Sequence, residues 1–262
     1  MTTRALPVRG RSVRAILVRN VFVYRHTWSL LVAEILEPVL YLGSIGLGIG
    51  VLVGHLPGLA RTPVDYAQFV APALLATTAM NAALNETTFL MYSRLAVDRV
   101  YQPIIATPVG VFDIAVGEIG WAILRSLVVT TCFLAILAAL GLIVSPAVVL
   151  GLLGAVAIAF CFACLGLLVA TLVRGWQDFQ YVQLVMLPMF LFATTFYPLG
   201  VYPRAIQIGV ECLPLYQSIQ LLREPALGEV SPPLLLSAGY LVLLGMAAAA
   251  VAGHRLRRIL TE

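Results

Sequence analysis

Residues 147–172 read AVVLGLLGAVAIAFCFACLGLLVATL, a run of 26 residues without a charge or a proline. A bilayer's hydrocarbon core is about 30 Å thick, and a helix of about 20 predominantly apolar residues crosses it. The run therefore predicts a membrane-spanning helix. Working outward from it, comparable stretches lie at 30–53, 67–91, 113–141, 180–199 and 232–253. Backbone polar groups in lipid must be paired within their own segment, which makes these stretches helices. A closed barrel would show shorter segments of alternating polarity, and this chain has none. The expectation is an all-α integral membrane protein: one domain over 1–262 with six transmembrane helices.

Composition agrees, with 61% hydrophobic and only 11% charged residues leaving little for water to solvate. All 16 basic residues are Arg. A phosphate-binding P-loop needs a Lys to reach the nucleotide phosphates, so this chain carries no such motif. Schiff-base chemistry is excluded by the same absence. If ATP drives the protein, another chain supplies the ATPase.

Arg near helix ends marks the cytoplasmic side. With the N-terminus inside, twelve Arg fall on the inner side, against Arg61, Arg204 and Arg223 outside and Arg125 within a span. Both termini are expected in the cytoplasm, and the net charge of +4 reads as topology rather than as a nucleic-acid surface. The first apolar stretch is too long for a signal-peptide core and lacks a small-residue cleavage site after it, so it is expected to remain as an anchor. Cys161 and Cys164 have redox-motif spacing but sit in the lipid-length run. There a free Cys packs as a small hydrophobe.

Before the first span, 11–26 reads as an interfacial helix with Val13, Ile16, Leu17, Val21 and Val23 on one side and Arg11, Arg14, Arg19 and Arg25 on the other. The first span holds Glu34 and Glu37, three apart on one face, followed by Pro38 and a Gly-rich half, Gly43 to Gly50. Ionisable groups in a membrane flag function; here structural pairing near the cytoplasmic boundary is favoured, together with a Pro kink. In the third span Glu118 and Arg125, seven apart, face one way and are expected to form an ion pair at the cytoplasmic mouth. Arg94 and Asp98, four apart in the loop after the second span, are expected to pair along a helix. Between spans five and six, 199–224 is broken by proline and only half apolar. It predicts two short re-entrant helices, an extracellular lid or gate built around Tyr197, Pro198, Arg204, Pro214 and Arg223, with a plain external loop as the alternative.

These pieces together resemble the ABC type-2 permease family, the membrane subunits of exporters driven by a separate ATPase. The likeness is to the branch holding the nodulation lipo-oligosaccharide exporters and the daunorubicin-resistance permeases. It rests on Glu37-Pro38 with the Gly-rich first span, Tyr66 to Pro72, Arg94 to Pro108, Gly117-Glu118, Phe192 to Leu199, and Leu213 to Arg223. Two departures lie in the external segment: Ala193-Thr194 where the family often has Ser-Gly, and Tyr216-Gln217 where His or Asn often follows Pro-Leu. The resemblance implies a coupling helix within 92–103, with Tyr92, Arg94, Asp98, Arg99 and Tyr101 toward an ABC-type ATP-binding subunit. It also implies a second permease copy or a paralogue as dimer partner, ATP and Mg held by the partner and no cofactor on this chain. An amphiphilic drug or a lipid-linked glycan would be the substrate, exported across the plasma (inner) membrane.

Two other classes compete. A secondary transporter calls for ionisable residues near the bilayer midplane and broken helices in matched halves, whereas the charges here cluster at span ends. An intramembrane enzyme calls for a catalytic constellation, and none can be read: His26, His55 and His254 are scattered, and no nucleophile motif occurs.

Overall fold

Helices form where the apolar runs predict them. The computed structural model describes residues 9–25, 28–49, 55–56, 64–107, 109–228 and 231–261. Helix α1 (Arg9–Tyr24) precedes α2 (Trp28–Tyr41), which runs into a π-type turn, Leu42–Leu47. Two-residue strands β1 (His55–Leu56) and β2 (Val64–Asp65) pair antiparallel, His55 opposite Asp65. Strand β2 leads directly into α3 (Tyr66–Asn85), where the Asp65 N–H donates to Gln68 Oε1 at 3.1 Å and fixes the first turn.

The helical path of α3 continues through two wide turns, Glu86–Leu90 and Ser93–Val97, to the short α4 (Tyr101–Ile105). Then come α5 (Val111–Ala139), α6 (Gly151–Leu172) and α7 (Phe179–Phe192). Two short helices follow, α8 (Arg204–Glu211) and α9 (Pro214–Ala226), before the long α10 (Pro233–Thr261).

Helix α3 is the centre. Nearly all its side chains are buried, and α5, α6 and α9 surround it while α10 lies along α6. Within lipid, close packing of small residues holds helices together, and two glycines show this. A Cβ on Gly166 of α6 would stand 2.2 Å from Thr87 Oγ1 and 3.0 Å from the Leu84 carbonyl oxygen. One on Gly245 of α10 would meet the Cys161 Cα at 3.1 Å. Cys161 and Cys164 are unbridged and fully buried in this packing. The outer surface stays apolar, with Leu235, Leu236 and Leu243 of α10 and Leu184, Val185 and Leu187 of α7 exposed, as a lipid-facing helix requires.

Several boundaries depart from the sequence expectation. Among the described residues, four helices have the length and hydropathy to cross a membrane: Tyr66–Val97, Val111–Ala139, Pro146–Leu172 and Pro233–Leu260. The first predicted span stays helical through the π-type turn after Tyr41 as far as Ile49, and its end, 50–53, lies outside the described residues. The fifth, predicted over 180–199, stops at Phe192, because Thr194 takes a left-handed φ of 63°. At about 1.5 Å per residue the 14 residues of α7 rise about 21 Å.

The docking face of α1 also differs. Ser12, Ile16, Asn20 and Tyr24, one turn apart, are the buried line, while Val18, Val21, Phe22 and Val23 are exposed. Tertiary partners for Asn20 and Tyr24 outweigh hydropathy in choosing that face. His26, the end of the predicted helix, lies outside the described residues.

Candidate functional site

Three carboxylates and three guanidinium groups, drawn from five parts of the chain, meet in the interior beneath α1. Glu118 on α5 has all its acceptor sites used. Its Oε1 accepts from Arg19 Nη2 at 2.7 Å and from the Tyr101 hydroxyl at 2.9 Å; its Oε2 accepts from Arg94 Nη1 at 2.6 Å and from Asn20 Nδ2 at 3.0 Å. Arg94 spans two acids, since its Nη2 also reaches Glu86 Oε1 at 2.9 Å. Glu86 in turn faces Arg125, whose Nη1 lies 3.5 Å from Glu86 Oε2 and donates to the Ala82 carbonyl at 3.1 Å. Arg125 Nη2 closes the series on Glu34 Oε1 of α2. The order is Glu34, Arg125, Glu86, Arg94, Glu118, Arg19: alternating charges from α2 through α5 and the wide turns after α3 to α1.

Local structure places each group. Glu86 opens one wide turn and Arg94 sits in the next; such π-type turns recur at functional sites. Gly117, next to Glu118, lets α1 come close, because a Cβ there would lie 2.9 Å from Ile16 Cγ2. Tyr24 stacks at a tilt on Trp121, ring centroids 5.3 Å apart, and its ring lies 4.9 Å from the Arg125 guanidinium carbon. Glu86 and Glu118 are each 1% exposed, so their charges are tolerable only because each is paired and hydrogen-bonded. Burial, reinforced by the Glu118 carboxylate, pushes the Tyr101 phenol up from its ordinary value. It therefore stays a donor.

Sequence expectations are corrected here. Glu118 and Arg125 do not pair with each other; each binds partners on other elements. Arg94 does not pair with Asp98, which accepts instead from Ser93 Oγ at 3.1 Å, because the two buried acids hold Arg94. Of the segment expected to face the ATPase, Tyr101 is fully buried and Tyr92 packs against Trp176 and Phe179. Asp98 and Arg99 remain exposed, and Arg99 has a φ of 49° where the chain reverses before α4. Sequence reasoning passed over Glu86, Arg19, Asn20 and Tyr24. Glu86 had a usable signal, an acid inside an apolar stretch.

The Glu34 end of the ladder borders a cavity of about 150 Å³ between α2, α3 and α7. Glu34, Glu37, Asn81, Asn85 and Gln183 form its polar wall, and Tyr41, Met186, Leu187 and Phe190 its apolar one. Glu34 Oε2 is buried there without a hydrogen-bond partner among the described residues.

The sequence pattern of ABC-2 type transporters matches residues 11–227, a stretch that contains this whole arrangement. The chain belongs to the ABC-2 type transporter family. It is similar to Nodulation protein J of Rhizobium leguminosarum bv. viciae, 30% identical over 98% of this chain and 100% of that one. Nodulation protein J of Neorhizobium galegae is 28% identical over 100% and 99%, and that of Rhizobium meliloti (strain 1021) 29% identical over 86% and 85%. The protein is thus a multi-pass membrane permease of the exporter type whose family works with an ABC-type ATP-binding subunit.

At the other end of this ABC-2 permease, the residues expected around a gate divide. Arg223 of α9 is buried, donates from Nη2 to the Thr194 carbonyl at 2.8 Å, and lies 3.9 Å over the Phe69 ring. Tyr197 meets Tyr202 edge-on at 5.6 Å, and the Tyr66 hydroxyl donates to the Phe196 carbonyl at 3.1 Å. Pro198 leads a short 3-10 turn and Pro214 begins α9. Arg204 is exposed and donates to Gln207 Oε1 at 3.0 Å. Helix α9 is inserted among α3, α6 and α10, whereas α8 buries only Val210.

Proposed function

We propose that this permease is the membrane half of an ATP-driven exporter, with nucleotide hydrolysis on a separate ATP-binding subunit and two permease copies forming the pathway. The observation that carries the reading is the charge ladder. It joins the wall of a cavity between helices to the interfacial α1 and, through Tyr101, to the reversal at Asp98-Arg99-Val100. A rigid ionic connection of this kind passes a displacement at the cytoplasmic reversal to α2, α3 and α5 together, a shift among packed helices of the sort that drives transport.

In this reading both termini are cytoplasmic, the chain crosses six times in the plasma (inner) membrane, and α2 and α7 complete their crossings with the turns that flank them. Helices α8 and α9 lie at the outer side. The substrate is an amphiphile, a class to which both a lipid-linked glycan and an apolar drug belong. Similarity to Nodulation protein J supports the glycolipid side of that class.

Co-purification with the ABC ATP-binding subunit tests the assembly. Arg99→Glu should lose the subunit while the permease still inserts and unfolds normally, and in a Cys-free background a Cys at Arg204 should react with an impermeant thiol reagent added outside. Retention of the subunit by Arg99→Glu would move the contact elsewhere. Labelling of the Arg204 position only after the membrane is opened would reverse the orientation.

A further inference from the structure

Between the N-terminal half of α5 and the C-terminal half of α10 the surface opens into a groove of about 660 Å³. Along α5 it runs from Phe112 to Ile123, and Phe160 of α6 adds to its wall. That stretch of α5 rises about 17 Å at about 1.5 Å per residue, close to the roughly 15 Å depth of one leaflet's hydrocarbon. Helix α10 is the least buried of the four spans, 22% over its most apolar stretch, so the groove opens to lipid. Its size falls among pockets that hold an apolar ligand, roughly 300–1,000 Å³.

The charge in this groove is of one sign and sits at one end. His254 and Arg257, three apart on α10, both line it, and no carboxylate does. His254 is exposed and has no hydrogen-bond or ion-pair partner among the described residues. An imidazole carries at least one N–H donor in either protonation state, and a guanidinium carries five. Arg257 keeps a contact within the protein as well. Asp113, the acid in the first turn of α5, is buried, accepts the Gly110 N–H at 3.2 Å and lies outside the lining. Arg255 turns away, its Nη2 donating to the Thr171 carbonyl on α6 at 3.3 Å. An apolar groove one leaflet deep with donors at its mouth complements a phosphate headgroup and an acyl chain, as basic pockets between spanning helices do.

We propose that the groove between α5 and α10 holds an anionic phospholipid of the surrounding bilayer, its phosphate on His254 and Arg257 and one acyl chain along α5 toward Ile123. The site depends on neither the exported substrate nor the ATP-binding subunit. In the orientation proposed above it lies in the inner leaflet. The bound lipid fills the space beside Gly253, where a Cβ would meet nothing within 4 Å. A larger side chain there therefore competes with the acyl chain and not with the protein.

Native mass spectrometry of the permease released from nanodiscs tests this, with phosphatidylglycerol and phosphatidylcholine of identical acyl chains in equal amounts. Retention of phosphatidylglycerol about tenfold over phosphatidylcholine is expected. His254→Glu, at an exposed position, should fold normally and lose most of that preference. Gly253→Phe should lose retention of both lipids. Arg255→Gln, which alters a charge that faces α6, should keep the parent's preference. Equal retention of the two lipids by the parent overturns the site. So does a preference that falls as far in Arg255→Gln as in His254→Glu, since that is diffuse attraction to the basic end of α10. A Gly253→Phe variant that keeps its lipid also overturns it, and one that at the same time dissociates a permease dimer assigns the groove to a second copy of the chain.

Discussion

Glu118 and Arg125 lie seven residues apart on α5, and they share no ion pair. Glu118 is held by Arg19 and Arg94, Arg125 by Glu34 and Glu86. Each α5 charge therefore ties a different pair of elements to the centre, and the six charges cancel as a group rather than as a local couple. Removing one member leaves its partners charged and buried.

Glu86→Ala should accordingly cost about 3–5 kcal/mol, the usual result of breaking a buried pair from one side. Asp98→Ala, at an exposed position bonded only to Ser93, should stay within about 0.5 kcal/mol. Equilibrium unfolding in detergent measures both. Equal small losses would mean that the ladder is solvated and contributes little.

Gly117→Ala should destabilise the protein by about 1–3 kcal/mol, the range for overpacking, because the new methyl group meets Ile16 Cγ2 at 2.9 Å. Ile16→Ala in the same chain should recover part of that loss. A double-mutant cycle on unfolding free energies reads the coupling. Additive costs would show that α1 is not seated on Gly117.

Thr194→Gly should stabilise the protein by about 1 kcal/mol, because a β-branched residue at a φ of 63° is held in a conformation that glycine adopts freely. Against that gain stand the packing of the buried Thr194 side chain and a 3.5 Å contact from Arg223 Nη1 to its hydroxyl. A rise in melting temperature is the expected readout; a fall would show that the hydroxyl contact outweighs the strain.

How much of this was legible in the sequence differs from one element to another. Helix α6 could be read outright, since an unbroken apolar run can pair its backbone in lipid in only one way. The two short helices α8 and α9 announced themselves through proline spacing. The end of α7 was not legible, because it is set by the turn at Thr194, whose carbonyl is held by Arg223 from 29 residues further along. The family pattern of Ser-Gly at that site hinted at a special backbone, and Thr concealed it.

For the site, the residue types were visible and the pairings were not. Glu34, Glu118 and Arg125 stood out as charges in apolar surroundings, and Arg94 as a loop residue expected to pair with Asp98. Their partners, however, are chosen across helices, as with Arg19 and Glu118, 99 residues apart. Helical spacing within one segment carries no information on such contacts. Glu86 was the exception, readable as an acid in the second span.

The central claim is that this permease and a separate ATP-binding subunit move an amphiphile together. The most direct measurement is ATP-dependent movement of a fluorescent glycolipid in proteoliposomes that hold the permease, the ATP-binding subunit or both. The account predicts transport only when both are present, with nucleotide bound by the partner alone. Transport by the permease without the partner, or stoichiometric ATP binding to the purified permease, would contradict it.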